Sequence, residues 1–158
     1  MADMLVNLMD IPSCDERIAK LASKGINIRR AMTPDMMAVL DFVEKTTGRF
    51  AKGECMASFS HHPVSCYIAE KDGKLIGYAC YDATMKDFFG PTEVLKEFQG
   101  HGIGAALLLK CLHSLKEEGY GYAVIGSVGP ADFYRKVCNA VVIPSSEKKS
   151  IYDDFMQF

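Results

Sequence analysis

Apolar positions recur along this chain with two periods, and the period changes wherever the element changes. In residues 103–118, Ile103, Leu107, Leu108, Cys111, Leu112 and Leu115 stand three and four apart. That spacing puts one broad apolar face on an α-helix, and Gly119 ends it. Residues 26–31 alternate Ile26 and Ile28 against Asn27, Arg29 and Arg30, the period of a half-buried strand. Residues 66–71 and 74–82 are two β-rich runs around Asp72-Gly73, a pair favoured in two-residue hairpin turns that need positive φ at both positions. Residues 87–95 predict another strand from Phe88, Phe89, Val94 and Leu95. Gly90-Pro91 interrupts it, and because proline cannot donate to a ladder, a bulge or a splayed pairing is expected there. Residues 120–128 predict one more strand.

Terminal signals place the remaining elements. Ser13 and Glu16 have capping-box spacing, so a short helix carrying Ile18, Leu21 and Ala22 should follow and stop near Gly25. Thr33-Pro34-Asp35 opens a second helix, with Thr33 as cap, Met36, Leu40 and Val43 on one face, and Gly48 as stop. Residues 48–65 lose clear periodicity; Phe50, Met56, Phe59, His61 and His62 predict a short helix plus a loop. Residues 130–138 form a short helix that Asn139 can end in the left-handed conformation. Residues 140–143 and 150–155 read as a terminal strand pair around Pro144-Ser145-Ser146. The order predicts an α+β fold with a largely antiparallel sheet.

Composition narrows this further. The 158 residues are 49% hydrophobic and 24% charged, which suits a single domain over 1–158, with residues 1–25 as an N-terminal helical extension. The formal net charge of −2 gives no general attraction to nucleic acid or to an anionic membrane surface. No apolar run approaches the roughly 18 residues that a membrane span needs, and the N-terminus has no secretion-signal pattern, so a cytoplasmic protein is expected. Six cysteines stand at irregular gaps without a C-x-x-C pair. They read as reduced, buried small hydrophobes, with a catalytic thiol as the alternative.

The stretch Gln99-Gly100-His101-Gly102-Ile103-Gly104-Ala105 carries the candidate chemistry. Alternating glycines at the start of the strongest helix leave main-chain N–H groups open to an anion, as a phosphate-binding loop requires. The plainer alternative is a flexible turn. No G-x-x-x-x-G-K-[ST] is present, and G-x-G-x-x-G fails because Ala105 stands at its last glycine. The pattern [QR]-x-x-G-x-[GA] is met by Gln99, Gly102 and Gly104.

With YIAEKDGKLIGYA (67–79), TEVLKEFQGHGIGAALL (92–108) and ADFYRKVCNA (131–140) in this order, the chain resembles the GNAT superfamily of acetyl-CoA-dependent N-acetyltransferases. The resemblance implies a three-layer fold whose central, mostly antiparallel, splayed sheet is flanked by helices. It implies that the N–H groups of Gly100, His101, Gly102, Ile103, Gly104 and Ala105, after Gln99, bind the pyrophosphate of coenzyme A. The backbone of Val94 and Leu95 would pair with the pantetheine arm, and Tyr134 would stand near the sulfur as proton donor to the departing thiolate. Glu93 is the first candidate for general base; Asp87 is weaker, and a surface loop role suits His61 and His62 better. His101 faces solvent or phosphate, and His113 is structural. The sequence departs from the family at Ser127, where asparagine is common, and at Cys138-Asn139-Ala140, where Gly-Phe is usual. The implied activity is transfer of an acetyl group from acetyl-CoA to an amine by direct attack in a ternary complex. The alternatives are a non-catalytic acyl-CoA-binding or sensing module on the same fold, and a nucleotide-binding protein resting on the glycine loop alone. The acceptor, a small molecule or a peptide, is not specified, and the tail 151–158 is a candidate homodimer surface.

Overall fold

The structure, a computed structural model, describes residues 1–156. Among these, seven strands form one sheet: β1 (Met4–Asn7), β2 (Ile26–Arg30), β3 (Cys66–Lys71), β4 (Lys74–Tyr81), β5 (Phe88–Val94), β6 (Tyr122–Ile125) and β7 (Val141–Val142), ordered β2-β3-β4-β5-β6-β1-β7. Every neighbouring pair is antiparallel except β5 and β6, which run parallel. The predicted α+β class with a mostly antiparallel sheet is therefore what the chain adopts.

Among the described residues five α-helices cover the two faces: α1 (Asp15–Ser23), α2 (Met36–Thr46), α3 (Arg49–Ser58), α4 (Ile103–Glu117) and α5 (Ala131–Cys138). Side-chain alternation along β3 and β4 sorts the core into two layers. Tyr67, Ala69, Ala79 and Tyr81 pack with α1, α4 and α5, while Cys66, Ile68, Tyr78 and Cys80 pack with α2 and α3. A register shift in the β3–β4 ladder puts Ile76 in the first layer and Leu75 against the second. Helix α4 is the centrepiece: Ile103, Leu107, Leu108, Leu109 and Leu112 are all at most 1% exposed.

Several local expectations hold. Asp72 and Gly73 take φ of 53° and 74° in the β3–β4 turn, and Asn139 ends α5 at φ 57°. Others change. The segment 1–25, expected as helical, also supplies β1, which lies between β6 and β7 because Met4 and Val6 alternate inward and are fully buried. The Ser13 hydroxyl accepts from the Asp15 N–H at 3.2 Å instead of from Glu16, so no capping box forms. The cap expected of Thr33 is made by Asp35, whose carboxylate accepts from the Met32 N–H at 2.7 Å and from both terminal nitrogens of Arg29. That guanidinium holds the Asp35 carboxyl below the usual carboxylate range. The terminal strand pair is not formed: β7 pairs with β1, and Ile151–Asp154 is a 3-10 turn. Ser150 initiates that turn and donates its hydroxyl to buried Asp3, which also accepts from the Ser127 N–H at 2.7 Å. Gln157 and Phe158 of the predicted dimer surface lie outside the described residues.

Because α4 joins every central strand into one core, Leu107→Ala should lower unfolding free energy by about 2–5 kcal/mol, read as a lower urea midpoint at unchanged slope.

Candidate active site

The parallel pair β5–β6 is short. It holds only through Phe88 opposite Val124 and Phe89 opposite Ile125. Past Phe89 the β5 chain carries one extra residue: Tyr81 faces Phe89, yet Ala79 faces Thr92, so Gly90 and Pro91 together oppose Cys80. This is the bulge expected from the sequence, and it reverses the phase of the strand. Val94 enters the α4 layer at 8% exposure, while Glu93, directly opposite Tyr78, lies on the α2–α3 face. Beyond Ile125 the β6 chain leaves the ladder, and the sheet opens between β5 and β6.

The opening is edged by unshared backbone. The Leu95 N–H donates to Ile76 and its carbonyl accepts from Phe98, so Leu95 is fully engaged within the chain. The preceding N–H and C=O, those of Val94, point the other way, into the opening. There, among the described residues, only side chains meet them: the Glu93 carboxylate accepts from the Val94 N–H at 3.1 Å, and the Gln99 amide donates to the Val94 carbonyl at 3.0 Å. Gln99 thus ties the strand end to the glycine loop. Gly77 permits the close packing behind it, since a Cβ there would lie 3.2 Å from the Glu93 carbonyl and 3.3 Å from the Val94 side chain.

A 3-10 turn (Lys96–Phe98) leads to the loop. Gly100 and Gly102 adopt φ of 84° and 86°, a left-handed backbone that glycine tolerates. The first bond of α4 runs from Ala106 to the Gly102 carbonyl at 3.1 Å, and among the described residues no side chain caps the helix. The N–H groups from Gly100 to Ala105 consequently find no acceptor among the described residues. Six such donors at the positive end of a fifteen-residue helix can hold an anion through main-chain geometry. His101 is exposed beside them.

Tyr134 projects from α5, 7% exposed, its ring edge-on to Phe89 and Phe133. Its hydroxyl makes no hydrogen bond among the described residues. Burial, with Cys138 and Glu93 nearby, pushes its pKa up to about 12. Glu93, on the α2–α3 face, and Tyr134, in the α4 layer, thus edge the opening from opposite sides of the sheet, close enough for the carboxylate to help raise the phenol. The other candidates are elsewhere. Asp87 precedes β5 at the far end of the strand; burial, then the Asp82 carboxylate, raise it to about 6, and its Oδ1 is buried without a partner. His61 lies near Glu118 at the C-terminal end of α4, and His113 bonds the Pro12 carbonyl at 2.8 Å. A hollow of about 280 Å³ between α1 and the second half of α4, lined by Ser13, Lys110, His113 and Glu117, is remote from the glycine loop.

Three features had no clear signal in the sequence. Tyr152 lies so close over Gly126, just past β6, that a Cβ there has no room. Burial pushes Tyr152 up to about 12. On α3, Glu54 accepts from the Thr84 hydroxyl, and burial raises it above the usual carboxylate range. Phe155 rests on Phe50 and Tyr152, so the C-terminal segment straps α3 to the end of β6. The isolated acid in the small-residue run Gly53-Glu54-Cys55 was the only visible hint.

Residues 30–139 match the Acetyltransferase (GNAT) family. The chain belongs to that family. Among solved structures it resembles a GCN5-related glucosamine N-acetyltransferase region of a fungal multi-domain GH3 β-N-acetylglucosaminidase, at TM-score 0.67 and 16% identity over 90% of this chain and 19% of that one. It also resembles a GCN5-related N-acetyltransferase from Sphaerobacter thermophilus, at TM-score 0.64 and 19% identity over 90% of this chain and 48% of that one. A GNAT family acetyltransferase from Brucella melitensis, solved in complex with acetyl-CoA, aligns at TM-score 0.51 and 20% identity over 75% of this chain and 86% of that one. The chain spans about a fifth and about half of the first two proteins. No curated protein matches it. At these identities the likeness shows the fold, and the fold is the GNAT fold: a splayed, mostly antiparallel sheet between helical layers. Among the described residues no helix is long and apolar enough to cross a membrane.

Because Gly102 sits at φ 86°, Gly102→Ala should cost about 1–2 kcal/mol from the left-handed backbone alone, read as a lower denaturation midpoint with an unchanged far-ultraviolet spectrum.

Proposed function

We propose that this GNAT protein is an N-acetyltransferase that moves an acetyl group from acetyl-CoA to an amine by direct attack in a ternary complex. The observation that carries the reading is the opening between β5 and β6, which has a free strand edge at Val94, six unpaired N–H donors at one end and the Tyr134 phenol at its wall. In this proposal the pyrophosphate takes the donors of Gly100 to Ala105, and the pantetheine amides replace the side chains now on Val94. Of the two expected strand residues, Val94 has backbone to offer and Leu95 does not.

The chemistry follows from what the groups can exchange. The acceptor nitrogen bonds to the thioester carbon, the carbonyl oxygen gains charge, and the C–S bond breaks. In this arrangement the Val94 N–H holds a pantetheine carbonyl and so fixes the thioester beside the strand. Glu93, which lies beside it, takes the proton the amine must lose. Tyr134 returns a proton to the sulfur. A phenol at about 12 is a weak acid beside a simple thiol near 8.5. The thiolate that leaves into the same apolar wall is itself desolvated, however, and its proton affinity rises with that of the phenol. The cytoplasmic assignment is part of this proposal and is supported by six free, buried cysteines. The outer strands β2 and β7 are the edges on which a homodimer would pair.

The contact between Glu93 and the Val94 N–H favours one other reading, a non-catalytic acyl-CoA-binding module whose carboxylate stays in place. Acetyl-CoA mixed with a broad amine panel distinguishes them by release of free thiol: the enzyme gives turnover with at least one amine, the module binds tightly without it, and absence of coenzyme A binding contradicts both.

With turnover established, Tyr134→Phe should lower kcat about 100-fold or more while retaining acetyl-CoA affinity. A proton donor is active while protonated and fails only as pH rises through its own pKa. Because Tyr134 is held at about 12, the wild-type kcat/KM profile should show no falling alkaline limb from this group below about pH 10.

A further inference from the structure

Cys55, Cys66 and Cys80 come from three elements, α3, β3 and β4, and their sulfur atoms all lie within 4.8 Å of one another in the α2–α3 core layer. Cys66 and Cys80 are direct cross-strand partners. The Tyr81 N–H bonds the Ser65 carbonyl beside them, which makes 66–80 a non-hydrogen-bonded pair, the kind whose side chains approach most closely. Helix α3 lays Cys55 over that pair. All three are at 0% exposure. The remaining three cysteines do not converge in this way: Cys111 and Cys138 point at the carbonyls of Ala79 and Tyr134, and Cys14 lies at the start of α1.

Three thiols facing one another form a ligand set as well as packing. A metal–sulfur bond of about 2.3 Å puts the sulfurs of a three-coordinate centre roughly 3.5–4 Å apart, so small side-chain shifts close this cluster onto one atom. Charge selects the atom. Three thiolates around a monovalent ion leave a charge of −2 and around a divalent ion −1, and either would be buried among Val39, Leu40, Val43, Phe59 and Ile68. A dry apolar core penalises such a charge heavily. Three thiolates on a trivalent centre leave no charge. The nearest hydroxyl, Ser58, is 3.9 Å from the Cys80 sulfur and already donates to the Cys55 carbonyl, so no fourth ligand completes a tetrahedron among the described residues. Trivalent arsenic needs none, because a lone pair fills its fourth direction.

We propose that Cys55, Cys66 and Cys80 form a capture site for trivalent arsenic. Arsenous acid, uncharged near neutral pH, condenses with the three thiols: three As–O and three S–H bonds break, three As–S bonds form, and three water molecules leave with every oxidation state unchanged. Occupancy ties α3 to the β3–β4 hairpin and therefore stiffens the α2–α3 face of the sheet.

The test is incubation of the folded wild-type protein with sodium arsenite, removal of excess, native mass spectrometry and arsenic X-ray absorption. The expected result is one retained arsenic per chain, a mass increase of one arsenic less three hydrogens, and three sulfur neighbours. Cys55→Ala, Cys66→Ala and Cys80→Ala should each lose the retained atom, and Cys138→Ala should keep it. No retention by the folded wild type, a centre with oxygen neighbours or only two sulfurs, or equal loss in Cys138→Ala overturns the assignment. The wild-type measurements decide it even where a core substitution fails to fold.

Discussion

One extra residue in β5 organises the molecule. Without the bulge at Gly90-Pro91, the alternation set by Phe89 would send Glu93 into the α4 layer and turn Val94 toward α2 and α3. With it, the apolar side chain fills the space beside Gly77 and Gly104, and the carboxylate stays at the opening. The same irregularity ends the parallel pairing with β6 after two residue pairs. The sheet therefore carries, in its interior, a strand edge that neither neighbour satisfies. An unpaired edge inside a fold demands a partner. Here two side chains, Glu93 and Gln99, supply the partners.

The glycine loop applies the same economy to charge. A chain of net charge −2 has no excess of cationic side chains to offer a phosphate, and the loop needs none. Its donors are main-chain N–H groups at the head of α4, fixed by a helix whose other face is the main core. In the proposed reading, rigidity and binding come from one element: the leucines of α4 hold the helix, and the helix holds the donors in line. What the composition rules against is narrow, namely long polyanions gathered by charge, and one pyrophosphate held by geometry falls outside it.

Much of this was legible in the residues themselves. The Asp72-Gly73 hairpin, the α4 face, the break at Gly90-Pro91 and the left-handed Asn139 all follow from local rules that tertiary packing does not override. The glycine loop was legible because its spacing and its place between strand and helix coincide. The misreadings share one cause, dependence on partners distant in sequence. Met4 and Val6 alternate as a strand should, but four residues declare nothing until β6 and β7 flank them. The tail 150–155 carries strand-like residues, yet Ser150 bonds Asp3 and starts a 3-10 turn. Leu95 looked equivalent to Val94 because the sequence does not say which way a backbone amide points. Tyr152 over Gly126 and the convergence of three cysteines are likewise products of assembly alone.

The central claim is that an interior strand edge and a helix head, both made of backbone, hold the cofactor. Amide-resolved hydrogen exchange and nuclear magnetic resonance on the wild-type protein, with and without coenzyme A, test it most directly. The account predicts that the amides of Val94 and of Gly100 to Ala105 shift and become protected on binding, while Leu95, already bonded to Ile76, changes little in protection. Perturbation centred instead on the hollow between α1 and α4, with the amides of Val94 and the glycine loop unmoved at saturation, would contradict it.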